Sequence, residues 1–263
     1  MIPSVSAALS AIVGRATTLA NASGAGRAFE LFVMTEVALG LRTSGFSVWL
    51  QRSDGTTILP TDPNRRFIQR GGAPTGVAPA AAGPNNASVI GFRWRTRPAW
   101  EIWNGIQFYG RSRAMHEIDV AIVPQSVGAD LRLSGGSPIG RPRVAIECKD
   151  VGTDGSLDEM RALVARLYDV TLLHAHHRHL PFPSVQAIHP GSAPSSKDRA
   201  VVTYWQENRR TKNILARRTG FVAGTIPLAS YHHIESHANI TVGSPAVTDL
   251  VDSVVEWARR NAR

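Results

Sequence analysis

The sequence predicts an α/β fold, a central mixed β-sheet flanked by helices, in a chain of 263 residues. Three observations predict it. Two short segments, 117–123 and 143–149, alternate apolar side chains with a period of two, as strands with a packed face do. Two others, about 27–43 and the stretch opened by Ser156-Leu-Asp-Glu159, carry apolar residues at helical spacing, as helices lying on a sheet do. The hydrophobic content of 43% over this length is enough for one large core.

The strand Arg143-Val-Ala-Ile-Glu-Cys-Lys149 organises the reading, because two charged residues end an otherwise apolar run. Alternation sends Val144, Ile146 and Cys148 to one face and Ala145, Glu147 and Lys149 to the other. In Glu117-Ile-Asp-Val-Ala-Ile-Val123 the same rule packs Ile118, Val120 and Ile122 and sets Asp119 beside small Ala121. Two acids and a lysine are thus expected on one sheet surface. The structural alternative is a salt bridge that guards a sheet edge against pairing. Two acids and a lysine, each beside an alanine, are a costly way to decorate an edge.

Asp119 followed 28 positions later by Glu-x-Lys resembles the PD-(D/E)XK nuclease superfamily, with its restriction endonuclease-like fold. The likeness continues outward over roughly 26–50 and 99–228. Gly26-Arg-Ala-Phe-Glu30 leading to Thr43-Ser-Gly-Phe-Ser-Val48 is similar to the opening of the type IV restriction and Holliday-junction-resolvase branches. Ala200–Tyr204, a basic helix and Gly220–Ile226 are similar to the strand, helix and strand that follow. Asp119 follows Ile118, where the motif has proline. The resemblance implies an endonuclease that hydrolyses DNA phosphodiester bonds with Mg²⁺ or Mn²⁺. It further implies that Asp119, Glu147 and the Cys148 carbonyl hold one ion, that Lys149 orients or deprotonates the water, and that Glu30 holds a second ion or a metal-bound water. Hard oxygen ligands suit magnesium, which stabilises phosphate charge and activates water. The alternatives are a catalytically inactive nuclease-like protein that binds nucleic acid or assembles with a partner, and a nuclease directed at RNA.

Charge agrees with a polyanionic partner: the net charge is +9 and the isoelectric point near 10.7. Of 29 basic residues only Lys149, Lys197 and Lys212 are lysine, so arginine usage also fits a genomic bias. A lysine kept in the Glu-x-Lys position where arginine is the habit favours chemistry needing a compact ammonium. Cys148 is the single cysteine, which excludes an intrachain disulfide and multi-cysteine zinc sites and fits a cytoplasmic location. No run approaches the roughly 20 apolar residues that span a bilayer, so no membrane partner is expected. DNA is the expected partner, with a homodimer left open.

In chain order, residues 3–20 predict a first helix, and 1–25 a helical extension before the core. In the second helix, Glu30 shares a stripe with Met34, Val37 and Leu41, whereas Glu36 lies on a mixed face. A glutamate near a helix start is also favoured by the dipole. Phe46–Gln51 predicts a strand. Residues 52–98 read as an insertion rich in Gly and Pro, with small β elements expected near Thr56–Leu59 and Phe67–Gln69. Strands follow at Ser88–Arg95 and Trp100–Tyr109, then a loop from Pro124 to Pro142. His174-Ala-His-His-Arg-His179 reads as an exposed helix end. A basic helix over 207–218 closed by Gly220 comes next, and 229–263 is a helical extension with Pro245 at its first turn. The whole is expected to form one domain. His232-His233 with His237 and Asn239 resembles the HNH nuclease pattern only loosely and lacks zinc-knuckle cysteines.

The expected nucleic-acid contacts are Arg93, Arg95, Arg97, Arg111 and Arg113 ahead of the Asp119 strand, and Arg209, Arg210 and Lys212 on the basic helix. The aromatics among them have a packing explanation: Trp100 and Phe108 fall at even positions with Ile102 and Ile106, on the expected core face. The first set of arginines is expected along the rim of the site, where guanidinium groups pair with phosphates.

Overall fold

A computed structural model describes residues 1–20, 25–69, 87–110, 112, 114–134, 142–171 and 211–262. Fifteen elements follow one another in it. They are α1 (Ile2–Val13), β1 (Thr18–Ala20), α2 (Ala25–Thr43), β2 (Ser47–Gln51), β3 (Arg66–Ile68), β4 (Val89–Arg93), β5 (Trp100–Tyr109), β6 (Met115–Pro124), α3 (Gln125–Ser134), β7 (Val144–Lys149), α4 (Leu157–Val170), β8 (Lys212–Arg217), α5 (Thr225–Tyr231), β9 (Ile234–His237) and α6 (Pro245–Asn261). Seven strands form a mixed sheet in the order β2-β4-β5-β6-β7-β8-β9. Neighbours are antiparallel from β2 to β7 and parallel from β7 to β9. The predicted α/β architecture, with a mixed sheet between helices, is what forms.

Each face of the sheet is covered by its own helices. Val120, Ile122, Val144, Ile146, Cys148, Ile214 and Ala216 pack under α1, α2 and α6. Ala121, Val123, Ala145 and Leu215 pack under α4, whose stripe is Met160, Leu163, Leu167 and Val170. The alternation predicted for β7 therefore holds, because both faces find apolar cover. Local chemistry sets the helix ends. Ser156 caps α4 by accepting the Glu159 N–H at 3.1 Å, and α6 has proline in its first turn.

The alternation predicted for β5 and β6 fails at one place. On β5, Ile102 packs in the first layer but Ile106 and Phe108 pack in the second. On β6, Val120 and Ile122 lie in the first layer while Ile118 joins the second. The ladder passes from Asn104↔Val120 to Ile106↔Ile118, so both breaks fall at the same rung, Gly105 opposite Asp119. Gly105 has φ of 61°, a left-handed conformation that only a residue without Cβ adopts cheaply. The face assigned to Asp119 by alternation is thereby corrected: it stands where the strand pair changes phase.

Other expectations are corrected too. The first helix ends at Val13, not near 20, and Thr18–Ala20 is a strand pairing in parallel with β3, which bears out the small β element near Phe67. The loop expected over 124–142 contains α3. Residues 212–217, expected to be helical, form β8 between β7 and β9. Its Ile214, Leu215 and Ala216 are buried in a short apolar run between charged ends. Such a run cannot be told from helix by periodicity alone. Gly220 accordingly closes no helix there. The strand expected at 220–226 is a single bridge, Gly155↔Phe221, followed by α5, and the 229–263 extension supplies β9 as well as a helix. The expected strand at 200–204 and the histidines at 174–179 lie outside the described residues. No described helix is long and apolar enough to cross a membrane.

Gly105→Ala forces a side chain into the left-handed region and is expected to destabilise the fold by about 1–2 kcal/mol. Urea denaturation of the two proteins measures it. A loss below about 0.3 kcal/mol would mean that the phase break does not need glycine.

Candidate active site

The β6–β7 ladder runs Ile122↔Val144, Ala121↔Ala145, Val120↔Ile146 and stops. Beyond that point β6 stays with β5 as far as Met115, while β7 stays with β8 as far as Lys149↔Arg217. The two strands fork. Asp119 stands in the fork, and its Oδ2 accepts the Cys148 backbone N–H at 2.7 Å, so a side-chain carboxylate satisfies a donor on the diverging strand.

Four further charged side chains gather there. Glu147 is 3% exposed at its side chain; its Oε1 accepts from Lys149 Nζ at 2.6 Å and both its oxygens accept from Arg166 of α4 at 2.6 Å. From the opposite layer α2 presents Glu30, whose Oε2 accepts from Asn104 Nδ2 at 2.9 Å. Asn104 also donates to the Asp119 carbonyl at 3.0 Å, and its own oxygen accepts from Gln69. Asn104 therefore ties helix, fork and the β3 end together.

Like charges in a desolvated place shape the electrostatics. Burial first and Glu147 second push the Asp119 carboxyl up to about 7, against the Cys148 hydrogen bond that lowers it. Burial also raises Glu30, with the hydrogen bond from Asn104 and the charge of Arg27 opposing and Glu117 and Glu147 adding to the rise. For Lys149, burial disfavours the ammonium, but the charge and hydrogen bond of Glu147 outweigh it and raise its pKa. The lysine is thus held as a cation. Glu36, raised by burial, lies one and a half turns along α2 from Glu30.

Glu30, Asp119, Glu147 and Lys149 are therefore brought into one electrostatic cluster, with the Cys148 backbone bonded into it. Of the predicted nucleic-acid contacts, Arg93, Arg95, Arg97 and Lys212 are not. Arg93, Arg95 and Arg97 lie at the turn between β4 and β5, where Phe92 pairs with Trp100. That end is five residues along β5 from Gly105, about 15–17 Å from the fork, so the expected position on the site's rim is corrected. Arg93 sits 5.8 Å from the Trp49 ring and Arg95 5.4 Å from the Trp94 ring, which gives both a packing role. Lys212 begins β8 at the same far end and pairs with Glu235. Arg111, Arg113, Arg209 and Arg210 lie outside the described residues.

Sequence reading missed Arg166, Asn104 and Gln69. A signal existed for two of them. Arg166 borders the apolar stripe of α4 next to Leu167, and Asn104 is an amide between Trp103 and Gly105 in a strand of mostly aromatic and aliphatic residues.

Comparison with family models, with curated proteins and with solved structures finds no match to this chain. Among the described residues, no three His, Cys, Asp or Glu side chains converge closely enough to hold a metal ion. The chemistry of the donors nevertheless fits a hard divalent cation: Glu147 raises the pKa of both Asp119 and Glu30, and a positive charge set among them offsets that repulsion. What occupies Glu147 at present is Arg166 and Lys149.

Glu235 provides a test of the charge assignments away from the fork. Burial raises its pKa, but His237, whose Nε2 lies 3.7 Å from Oε2, and hydrogen bonds from Lys212 and Ser253 outweigh this and lower it to about 2. A carboxyl whose folded pKa is depressed stabilises the fold above its unfolded pKa and loses that effect as pH falls through the folded value. Glu235→Gln is therefore expected to be less stable than wild type at pH 7, with the gap closing between about pH 4.5 and pH 2. Chemical denaturation at pH 7, 4.5 and 3 checks it, and a gap that widens on acidification would reverse the assignment.

Proposed function

We propose that the chain is a metal-dependent endonuclease of the PD-(D/E)XK type, acting on DNA with Mg²⁺. The observation that carries the reading is the fork itself: acids from two strands and a helix, with one lysine, share a partly buried cleft of the sheet. A perturbed cluster of this kind marks a functional site more often than a stabilising one. In the reading Asp119, Glu147 and the Cys148 carbonyl would hold one cation, and Glu30 would hold a second ion or a metal-bound water. When bound, that ion supplies Lewis-acid stabilisation of phosphate charge and a more acidic water.

The protein's own groups have separable tasks. Lys149, kept protonated by Glu147, donates to a phosphate oxygen or orients the attacking water rather than deprotonating it. Asp119 keeps one oxygen on the Cys148 N–H, which fixes its rotamer at the open end of the fork. Asn104 holds Glu30 against repulsion from Glu117 and Glu147. The net charge of +9 supports a polyanionic substrate.

One observation favours a second reading. Glu147 is held by two cations, an arrangement that also suits a catalytically silent nuclease-like protein that binds nucleic acid or assembles with a partner. Substitution separates the two. Lys149→Ala and Glu147→Gln are each expected to lower Mg²⁺-dependent plasmid cleavage by at least about 10³-fold while DNA binding persists. Gln is chosen because Ala would leave Arg166 facing an empty buried space. Cleavage unchanged in either folded variant would remove the residue from the reaction.

Glu30→Gln is expected to slow cleavage more than Glu36→Gln, since Glu30 is joined through Asn104 to the Asp119 backbone. Parallel rate measurements compare them. A larger loss for Glu36→Gln would displace α2 from the site.

A further inference from the structure

Arg166 lies on the side of α4 turned toward the fork. Its Nη1 is 2.6 Å from Oε1 and 2.6 Å from Oε2 of Glu147, and Lys149 Nζ is 2.6 Å from Oε1. A carboxylate that is 3% exposed thus carries two cations, while Asp119 beside it accepts a backbone N–H. The arginine contact has an unusual form. In a strong guanidinium–carboxylate pair two nitrogens meet two oxygens, fork to fork. Here one nitrogen serves both oxygens, so the contact is a point charge on the carboxylate and yields more easily than a side-on pair.

The helix that carries Arg166 is pinned at both ends. Near its C-terminus Asp169 Oδ2 lies 2.7 Å from His116 Nε2 and 2.5 Å from Ser112 Oγ, on the tip of the β5–β6 hairpin. Near its N-terminus Glu159 pairs with Arg217, which is fully buried on β8. With both ends fixed, the backbone of α4 keeps its register on the fork. The Arg166 side chain, 31% exposed, is the part with room to move.

We infer that Arg166 is the built-in counterion of the site, neutralising Glu147 while no metal is bound and giving up at least one carboxylate oxygen when a divalent cation enters. The inference rests on the cation-dependent reading of the fork given above. It makes Arg166 a positioning residue that sets the affinity for metal, a role distinct from the packing of α4, which Leu163 and Leu167 provide from within the second layer. A positive charge within a few ångströms of an incoming dication repels it, so losing that charge strengthens cation binding. Loss of mere structural support would weaken it or leave it alone.

The test is calorimetric titration of Mn²⁺ into the full-length wild type, Arg166→Gln and Arg166→Lys, each checked for folding by circular dichroism. Arg166→Gln is expected to bind Mn²⁺ about tenfold more tightly than wild type. Arg166→Lys, which keeps the charge on a shorter stem, should fall between them at about threefold. Equal or weaker binding by Arg166→Gln overturns the inference, as does absence of Mn²⁺ binding in all three proteins. Should Arg166→Gln fail to fold, the Lys variant decides: tighter binding supports the counterion role, and unchanged binding removes it. Plasmid cleavage by the same preparations keeps the two levels apart. Tighter binding without any cleavage by wild type would sink the nuclease reading and leave the counterion assignment standing.

Discussion

The bond from the Cys148 N–H to the Asp119 carboxylate holds the site together, because it replaces a rung that the sheet gives up. β6 and β7 pair over three rungs and then separate, each remaining with its other neighbour. A separating strand leaves buried amide groups that must find partners. Asp119 supplies one, and in doing so places a carboxylate where two strands and two helices converge. The phase change at Gly105 opens room for this. Without it Asp119 would follow Ala121 into the second layer under α4, out of reach of Glu30 on the other side of the sheet.

Stability alone is a poor reason for such an arrangement. Buried ion pairs cost desolvation that their attraction barely repays, and apolar replacements are often neutral or stabilising. Removing a cation leaves the buried Glu147 carboxylate short of a partner, so Glu147, Lys149 and Arg166 are mutually dependent once present. Most of the core needs no such device. Val144, Ile146, Ile214 and Ala216 lie fully buried beside it, in the layer closed by ordinary apolar packing under α1, α2 and α6. In the proposed reading, charges kept in that setting serve chemistry, and the raised carboxyl of Asp119 stands where a cation would be stabilised.

Much of this was legible in the residues. β5 was predicted to its ends, β7 and α2 nearly so, and the capping box of α4 was read from Ser156 and Glu159, since each rests on local periodicity or on a local bond. Strand alternation singled out Asp119, Glu147 and Lys149, and the helical stripe of α2 singled out Glu30. What alternation could not show was its own interruption, because one glycine in a left-handed conformation looks like any other in a sequence. β8 was misread for a related reason. The basic residues of 207–218 suggested a helix, yet Arg217 is fully buried in a strand and bonded to Glu159 and Thr153. The partners of the cluster, Arg166 and Asn104, come from elements whose approach is tertiary. No spacing along the chain connects Arg166 to Glu147 or Asn104 to Glu30. The arginine-rich turn at 93–97 was assigned to the site by nearness in sequence to Asp119, and the register of β5 carries it to the opposite end of the sheet.

The account stands or falls on whether the fork cuts a phosphodiester with the help of a divalent cation. Incubating the purified wild type with supercoiled plasmid, linear duplex DNA and single-stranded RNA, with Mg²⁺ or with EDTA, measures this most directly. The account predicts conversion of the supercoiled form to nicked or linear DNA with Mg²⁺, abolished by EDTA. Cleavage of RNA alone would move the reaction to another substrate, and intact nucleic acid in every arm, with DNA nonetheless bound, would contradict the nuclease and leave the silent binding protein.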